Sequence, residues 1–191
     1  MLSIMLLSCD KKVDYYNLPL LSANGNYQAV IEIPSGTNKK YEYNNITKKF
    51  EIDKKNGIDR VIQFLPYVGN YGYIPSTFSD PKKGGDGDAL DVLVLSESLD
   101  IGTVIEIKPI AVLKLLDEGE IDYKIIAIPA DVSKQTIKVN TFDKFLQQFS
   151  GAKSIIELWF LNYNKDDLAV IEGWGNEEDA VNEINKNKKH K

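Results

Sequence analysis

The sequence predicts a mainly β protein with flanking helices, in which short strands close into a small barrel. Strand-like segments follow one another closely from Tyr27 onward, helical patterns come only late in the chain, and no internal repeat or long linker separates them. A chain of 191 residues with 43% hydrophobic side chains can bury a core without disulfides or metals. A closed barrel removes exposed sheet edges and fills its interior with side chains.

The predicted strands show alternation, or runs of β-branched and aromatic residues. They are YQAVIEI at 27–33, KYEYNNI at 40–46, KKFEI at 48–52, DALDVLVL at 88–95, GTVIEIKPIAVLKLL at 102–116 and EIDYKIIAIP at 120–129. The last two meet across an acidic turn that contains glycine, which is typical of a hairpin.

Helices are predicted in three places. TFDKFLQQF at 141–149 and SIIELWFLNY at 154–163 carry apolar residues at spacings of three and four. NEEDAVNEINK at 176–186 begins with an asparagine suited to cap a helix, and acidic residues fill its first turn.

These elements divide the chain into three regions. We expect a barrel domain over residues 27–185, a signal-like segment and tether over residues 1–26, and a basic tail over residues 186–191. The chain ends in NKNKKHK at 185–191, and this lysine-rich end is expected to be frayed and solubilising rather than a binding site.

The start of the chain, MLSIMLLSC, is apolar until Ser8 and is followed at once by polar residues. Eight residues are too few to span a bilayer. LLSC is similar to the lipobox at which bacterial lipoproteins are cleaved and lipidated on cysteine, although no basic residue precedes it. We therefore expect a cell-envelope lipoprotein attached to the membrane through Cys9. The alternatives are a cytoplasmic protein and an ordinary unpaired thiol.

Composition excludes several classes of function. A formal net charge of −5 argues against a nucleic-acid partner, because binding to phosphate backbones needs a basic face. With His190 and Cys9 as the only histidine and cysteine, Ser-His, Cys-His and histidine-rich zinc sites are ruled out. Arg60 is the only arginine among 23 basic residues. Its planar fork suits a phosphate or a carboxylate, and a surface salt bridge is the alternative.

Three aspartates crowd the stretch GGDGDALDVLVL at 84–95. Two unit charges about 4 Å apart repel by roughly 4 kcal/mol at an effective dielectric near 20, so bare carboxylates cannot converge without a cation. Asp86 and Asp88 share the parity of an extended strand while Asp91 does not, and a bend at Gly87 would bring the three together. They either splay into water or hold a metal.

An EF-hand is one oxygen-ligand interpretation of this stretch, because Asp86, Asp88 and Glu97 fall at loop positions one, three and twelve. It fails internally, since Leu90 stands at the fifth position and Asp91 where glycine is required. The remaining interpretation is a carboxylate site for Mg²⁺ or Mn²⁺ in preference to Ca²⁺. A second acidic group, Asp117 and Asp122, flanks the later turn with Lys124 nearby; exposed hairpin acids are the alternative there.

Together these stretches resemble the family I soluble inorganic pyrophosphatases. DGDALD is similar to the signature of that family, and VIEIP, KYE, NYGYIP, VLKLLDEGEIDYKIIAIP and IEGW follow in the family's order over residues 27–174. The resemblance implies a five-stranded OB-like closed barrel, and hydrolysis of pyrophosphate to two phosphates with several Mg²⁺ ions, for which Mn²⁺ could substitute. We also expect a homo-oligomer.

The resemblance also implies roles for individual residues. Asp88 would take the proton from the attacking water, and Glu42 would be a supporting acid. The implied metal ligands are Asp86, Asp91, Asp122, Asp117 and Glu32. The implied phosphate-binding residues are Lys40, Arg60, Tyr71, Lys124 and Tyr163.

Two positions depart from the family pattern. Ala89 stands where the signature usually has proline, and Asn164 stands where a lysine usually follows Tyr163, so that Lys165 replaces it by a one-residue shift or the contact is lost. Two other functions stay open: a metal-stabilised barrel that binds an anion without turnover, and hydrolysis of another phosphoanhydride such as a nucleotide.

Overall fold

The computed structural model describes residues 13–164 and 169–189. The strands are β1 (Tyr27–Ile33), β2 (Tyr41–Asn44), β3 (Lys49–Ile52), β4 (Lys54–Lys55), β5 (Ile58–Asp59), β6 (Asn70–Tyr73), β7 (Asp91–Val94), β8 (Val104–Asp117), β9 (Glu120–Ile121), β10 (Lys124–Pro129) and β11 (Val170–Gly175). The helices are α1 (Phe142–Asn162) and α2 (Glu177–Lys186), and short 3-10 turns occur at Tyr15–Asn17, Pro81–Lys83 and Val132–Lys134.

Five strands close into a ring, which confirms the predicted barrel. β1 pairs with β6, β6 with β7, β7 with β10, β10 with β8, and β8 returns to β1. The β7–β10 pair is parallel and the other four are antiparallel. β9 and β11 add to β8 outside this ring, and β2–β3 and β4–β5 are separate hairpins.

The barrel depends on a close approach between β1 and β6. A Cβ atom at Gly72 would lie 1.9 Å from the carbonyl oxygen of Val30, so only glycine fits there. The register between these strands shifts between Ile31 and Ile33. Such a bulge redirects a side chain, and Glu32 is the residue that it redirects.

Each helix covers a different part of the core. Trp159 and Phe160 of α1 pack in one buried cluster with Leu93, whereas Ile184 of α2 packs in a second cluster with Val92. Alternate residues of β7 thus serve the two clusters, as the pleat of a strand requires.

The predicted helices form with one difference. The patterns at 141–149 and 154–163 belong to a single helix, α1, which is kinked at Phe149 (φ −136°, ψ 38°). The α2 helix has the predicted cap: the Asn176 side chain accepts from the backbone N–H of Asp179, whose carboxylate accepts from the N–H of Asn176.

Residues near both ends of the described chain contact the barrel domain, while the predicted division into tether, barrel and tail stays a prediction. Tyr15 and Tyr16 pack against a cluster that contains Tyr43 and Tyr73, because a run of aromatic residues gains by burial. At the other end, Phe78 N–H donates to the Asn187 carbonyl at 2.7 Å, and Lys189 N–H donates to the Ser76 carbonyl at 2.9 Å.

Cys9, the predicted site of lipid attachment, lies outside the described residues. Within residues 13–164 and 169–189, no helix combines the length and apolar character needed to cross a bilayer.

Candidate active site

One cavity of about 520 Å³ opens at an end of the barrel. All eleven residues to which we assigned a catalytic, metal or substrate role line it, and so does Glu42. The eleven come from β1, β6, β7, β8, β10, the end of α1 and the loops between strands, namely Glu32, Lys40, Arg60, Tyr71, Asp86, Asp88, Asp91, Asp117, Asp122, Lys124 and Tyr163. The barrel therefore brings together positions that are up to 131 residues apart in sequence.

The loop that carries Asp86 and Asp88 bends as predicted. Gly87 has φ 87°, in the region that favours glycine. The backbone N–H of Asp88 donates to a carboxylate oxygen of Asp86 at 3.0 Å. On its other side the loop is tied to Ser79, which accepts from Gly87 N–H at 2.9 Å and donates its own N–H to the Asp88 carbonyl at 2.7 Å. The loop is thus held by hydrogen bonds on both sides of the bend.

Asp86, Asp91 and Asp122 each contribute one carboxylate oxygen to a group whose members all lie within 4.8 Å of one another. All three side chains are partly buried. Oxygen-only ligands at this separation suit a hard divalent cation, so these residues fit the metal that the family pattern implies.

Lys124 is the protein cation at this group. It is 4% exposed, and its ammonium contacts both Asp91 and Asp122. Burial alone would lower the pKa of Lys124, but the two carboxylates outweigh burial and raise it, so the side chain is held protonated. Asp91 also accepts a hydrogen bond from the Tyr71 hydroxyl at 2.5 Å.

Burial alters the acidity of the remaining carboxylates. It raises the pKa of Asp86 and of Asp88, and nearby Asp91 adds to the effect on both. Glu32 is 7% exposed, and burial raises its pKa to about 8 although its carboxylate accepts the backbone N–H of Tyr43 at 2.6 Å. These acids are therefore placed where a cation in the cavity would be favoured.

Lys40 and Arg60 form the basic side of the cavity. The Arg60 guanidinium donates to the Asp53 carboxylate at 2.7 Å, and the Lys40 ammonium lies 2.7 Å from Glu42 and 3.8 Å from Asp53. Their backbones are joined as well, since Lys40 N–H donates to the Arg60 carbonyl and Arg60 N–H donates to the Asp53 carbonyl. Arg60 thus forms a salt bridge with Asp53 and also lines the cavity.

Tyr163 reaches the cavity from the end of α1, where its ring stacks on Trp159 with centroids 4.9 Å apart. Asn164 follows it directly, while Lys165, the predicted replacement for the family lysine, lies outside the described residues.

Several lining residues were not predicted from sequence: Asp53, Tyr16, Tyr67 and Tyr73. Tyr73 stands two positions after Tyr71 in the same strand, so strand parity could have indicated it. No sequence pattern marks Asp53, whose carboxylate pairs with Arg60 seven residues later, and none marks Tyr16, which stacks on the distant Tyr73.

Comparisons with known proteins agree with this geometry. The profile described as inorganic pyrophosphatase matches residues 29–191. An inorganic pyrophosphatase of Buchnera aphidicola is 35% identical over 178 residues, which are 88% of this chain and 92% of that protein. The soluble inorganic pyrophosphatase 6, chloroplastic, of Arabidopsis thaliana is 32% identical over 82% of this chain, which spans only 56% of that longer protein.

The fold comparison gives the same result. The crystal structure of inorganic pyrophosphatase from Thermus thermophilus matches with a TM-score of 0.78 and 28% identity, covering 92% of this chain and 97% of that one. The profile covers most of the sequence, and the relatives extend over nearly all of the barrel. This chain belongs to the family I soluble inorganic pyrophosphatases.

Proposed function

We propose that this protein hydrolyses inorganic pyrophosphate to two phosphates and uses Mg²⁺. The observation that carries the proposal is the convergence of Asp86, Asp91 and Asp122 within 4.8 Å, in a cavity that Lys40 and Arg60 also line. A cavity that pairs a carboxylate group with cations suits a substrate that is itself a polyanion accompanied by metal ions.

Different carboxylates would bind different metal ions. Asp86, Asp91 and Asp122 would hold the first ion, Asp91 would also be a ligand of a second, and Asp117 and Glu32 would hold ions that arrive with the substrate. When bound, Mg²⁺ neutralises phosphate charge and lowers the pKa of water.

The other residues position the reacting groups. Lys40, Arg60 and Lys124 attract the phosphate oxygens, and the Tyr163 hydroxyl donates a hydrogen bond to them. The Tyr71 hydroxyl donates to Asp91, and it would bind phosphate by exchanging that acceptor for a phosphate oxygen. Asp88 accepts a proton from the water that attacks phosphorus. As the new P–O bond forms, the bridging P–O bond breaks and its electron pair leaves with the second phosphate. Phosphoryl transfer depends mostly on such positioning and charge neutralisation.

The test is phosphate release from pyrophosphate with Mg²⁺, with Mg²⁺ plus EDTA, and with ATP in place of pyrophosphate. We expect rapid release only from pyrophosphate with free Mg²⁺, while circular dichroism shows that the chelated protein keeps its fold. Release that is equal with EDTA, or none from pyrophosphate, would overturn the proposal. Preference for ATP would favour a nucleotide anhydride, and binding without turnover would favour an anion-binding barrel.

We also propose that the protein forms a homo-oligomer. Ile155, Leu158 and Leu161 follow one another on one face of α1 and are 55%, 58% and 43% exposed. Contiguous exposed apolar residues of this kind favour contact with another copy. In sedimentation experiments we expect Leu158→Glu to dissociate the assembly and Asn182→Glu, on α2, to leave it intact. A monomeric wild-type protein would refute this.

A further inference from the structure

The N-terminal segment, residues 13–18, lies against the wall of the catalytic cavity. Its Tyr16 lines the cavity together with Glu32, Asp88 and Ala89. Burial raises the pKa of the Tyr16 hydroxyl, and the charges of Glu32 and Asp88 raise it further, which is consistent with a position beside them. Tyr16 belongs to no barrel strand, so the cavity is completed by a residue from outside the barrel.

Packing connects Tyr16 to the catalytic loop. Its ring stacks on Tyr73, with centroids 4.6 Å apart and planes 21° apart. Tyr73 and Ala89 belong to one buried cluster, against which Tyr16 packs. Ala89 directly follows Asp88, and Tyr73 pairs with Asp91 across β6 and β7. The aromatic stack therefore supports both the loop and the strand that carry the aspartates.

Hydrogen bonds provide a second connection. The Tyr16 carbonyl accepts the backbone N–H of Ser76 at 2.9 Å. In the same short segment, the Thr77 hydroxyl accepts Leu90 N–H at 2.9 Å, and Ser79 N–H donates to the Asp88 carbonyl at 2.7 Å. Residues 76–79 thus link Tyr16 to both ends of the sequence from Asp88 to Leu90.

We propose that Tyr16 is a positioning residue of this active site, which holds the aspartate loop from outside the barrel. The proposal rests on the proposed pyrophosphatase function for its kinetic consequences only. Tyr16 lines the cavity together with Asp88, and it packs against the buried cluster that contains Ala89, which stands where the family signature usually has proline. Proline restricts its own backbone, whereas alanine needs packing to hold the same loop.

Tyr15 offers a matched control within the same 3-10 turn. Its ring packs on Tyr43 and Phe50, with centroids 5.2 Å and 5.1 Å away, so it supports the same N-terminal segment. In the described part of the chain, the cavity lining includes Tyr16 but not Tyr15. Tyr15→Leu and Tyr16→Leu should both lower the melting temperature, and only the second should disturb the site.

The direct measurement is hydrogen exchange at the backbone amides of Gly87, Asp88 and Leu90 in the full chain, detected by mass spectrometry. We expect Tyr16→Leu to speed this exchange by about tenfold while Tyr15→Leu leaves it unchanged. In parallel, kcat for pyrophosphate should fall about tenfold in Tyr16→Leu, because small misplacements of catalytic groups are costly. Tyr16→Phe, which keeps the ring, should restore both measurements.

Wild-type exchange and kcat in folded Tyr16→Leu would overturn the proposal, and so would equal effects of Tyr15→Leu. If Tyr16→Leu does not fold, Tyr16→Met is the second variant: it fills similar space without an aromatic ring, and wild-type exchange and kcat in folded Tyr16→Met would count against the proposal. If the wild-type protein does not hydrolyse pyrophosphate, the proposed function is wrong. The hydrogen-exchange experiment still tests the positioning role of Tyr16 in that case.

Discussion

The carboxylate of Asp53 accepts a hydrogen bond from the Arg60 guanidinium at 2.7 Å and lies 3.8 Å from the Lys40 ammonium. Asp53 therefore holds two of the cations that we assign to phosphate binding. A cation held by a partner meets its substrate without first losing conformational freedom, which makes Asp53 a positioning residue for both.

Asp53→Asn should raise the KM for pyrophosphate by about tenfold and change kcat less, because the amide keeps the shape but loses the charge that fixes Arg60 and Lys40. Steady-state kinetics at saturating Mg²⁺ will measure this. Asp59→Asn is the matched control, since Asp59 faces Lys54 at 3.6 Å in the neighbouring hairpin. Equal KM values for wild type and Asp53→Asn would contradict the assignment.

The same pair predicts a pH dependence of stability. Burial tends to raise the pKa of Asp53, but the hydrogen bond from Arg60 and the charge of Lys40 outweigh burial and lower it. A depressed pKa in the folded state contributes stability above the ordinary pKa of aspartate, and the contribution is lost as pH falls through the folded value. Urea unfolding should show Asp53→Asn to be less stable than wild type at pH 7, and the difference should shrink below about pH 4. A difference that stays constant with pH would exclude this linkage.

Asp88→Asn should lower kcat by about 100-fold, because the amide cannot accept the proton of the attacking water. Calorimetric titration should show Mg²⁺ binding that is nearly intact, since the three convergent ligands remain. Asp100→Asn makes the same change at an exposed acid and should leave kcat and Mg²⁺ binding unchanged. If Asp88→Asn turns over like wild type, another group is the base.

Lys165→Ala should raise the KM for pyrophosphate several-fold, whereas Asn164→Ala should change it little, if Lys165 takes the place of the family lysine by a one-residue shift. The ammonium supplies a charge that the asparagine amide does not. Steady-state kinetics of the two variants measured side by side will decide. Equal and negligible effects would mean that this phosphate contact has been lost.

We predict that the mature protein begins at a lipidated Cys9 and fractionates with membranes, because LLSC is similar to a lipobox. Residues encoded upstream of Met1 should then include lysine or arginine. Intact-mass spectrometry of the native protein and Cys9→Ala provide the measurement and its control. An intact, unlipidated Met1 in the soluble fraction would place the protein in the cytoplasm instead.

Much of the fold was predictable because most strands of the ring have a recognisable local sequence pattern. β1, β8 and β10 are rich in β-branched residues, and the Asn176 cap marks the start of α2. β6 and β11 were missed because each contains glycine, which weakens a strand pattern. The kink at Phe149 was read as an interruption between two helices.

The aspartates of the site could be predicted because they lie close in sequence and match a known pattern. Asp53 could not, because nothing around it indicates that it pairs with Arg60 seven residues later. Tyr16 could not, since its contact with Tyr73 joins residues far apart in the chain and leaves no local periodicity. The packing of residues 13–18 on the barrel was missed for the same reason: a run of aromatic residues indicates burial without indicating against what.

β8 pairs with β1, β10, β11 and β9, and it ends at Asp117. Most contacts around it therefore join distant parts of the chain, and such high contact order makes folding slow. The ligands have no shared position until the ring has closed, so the proposed Mg²⁺ would bind only the folded protein. By mass action such an ion would stabilise the folded state, and the closed barrel would be more populated in a cell with ample magnesium than in one without it.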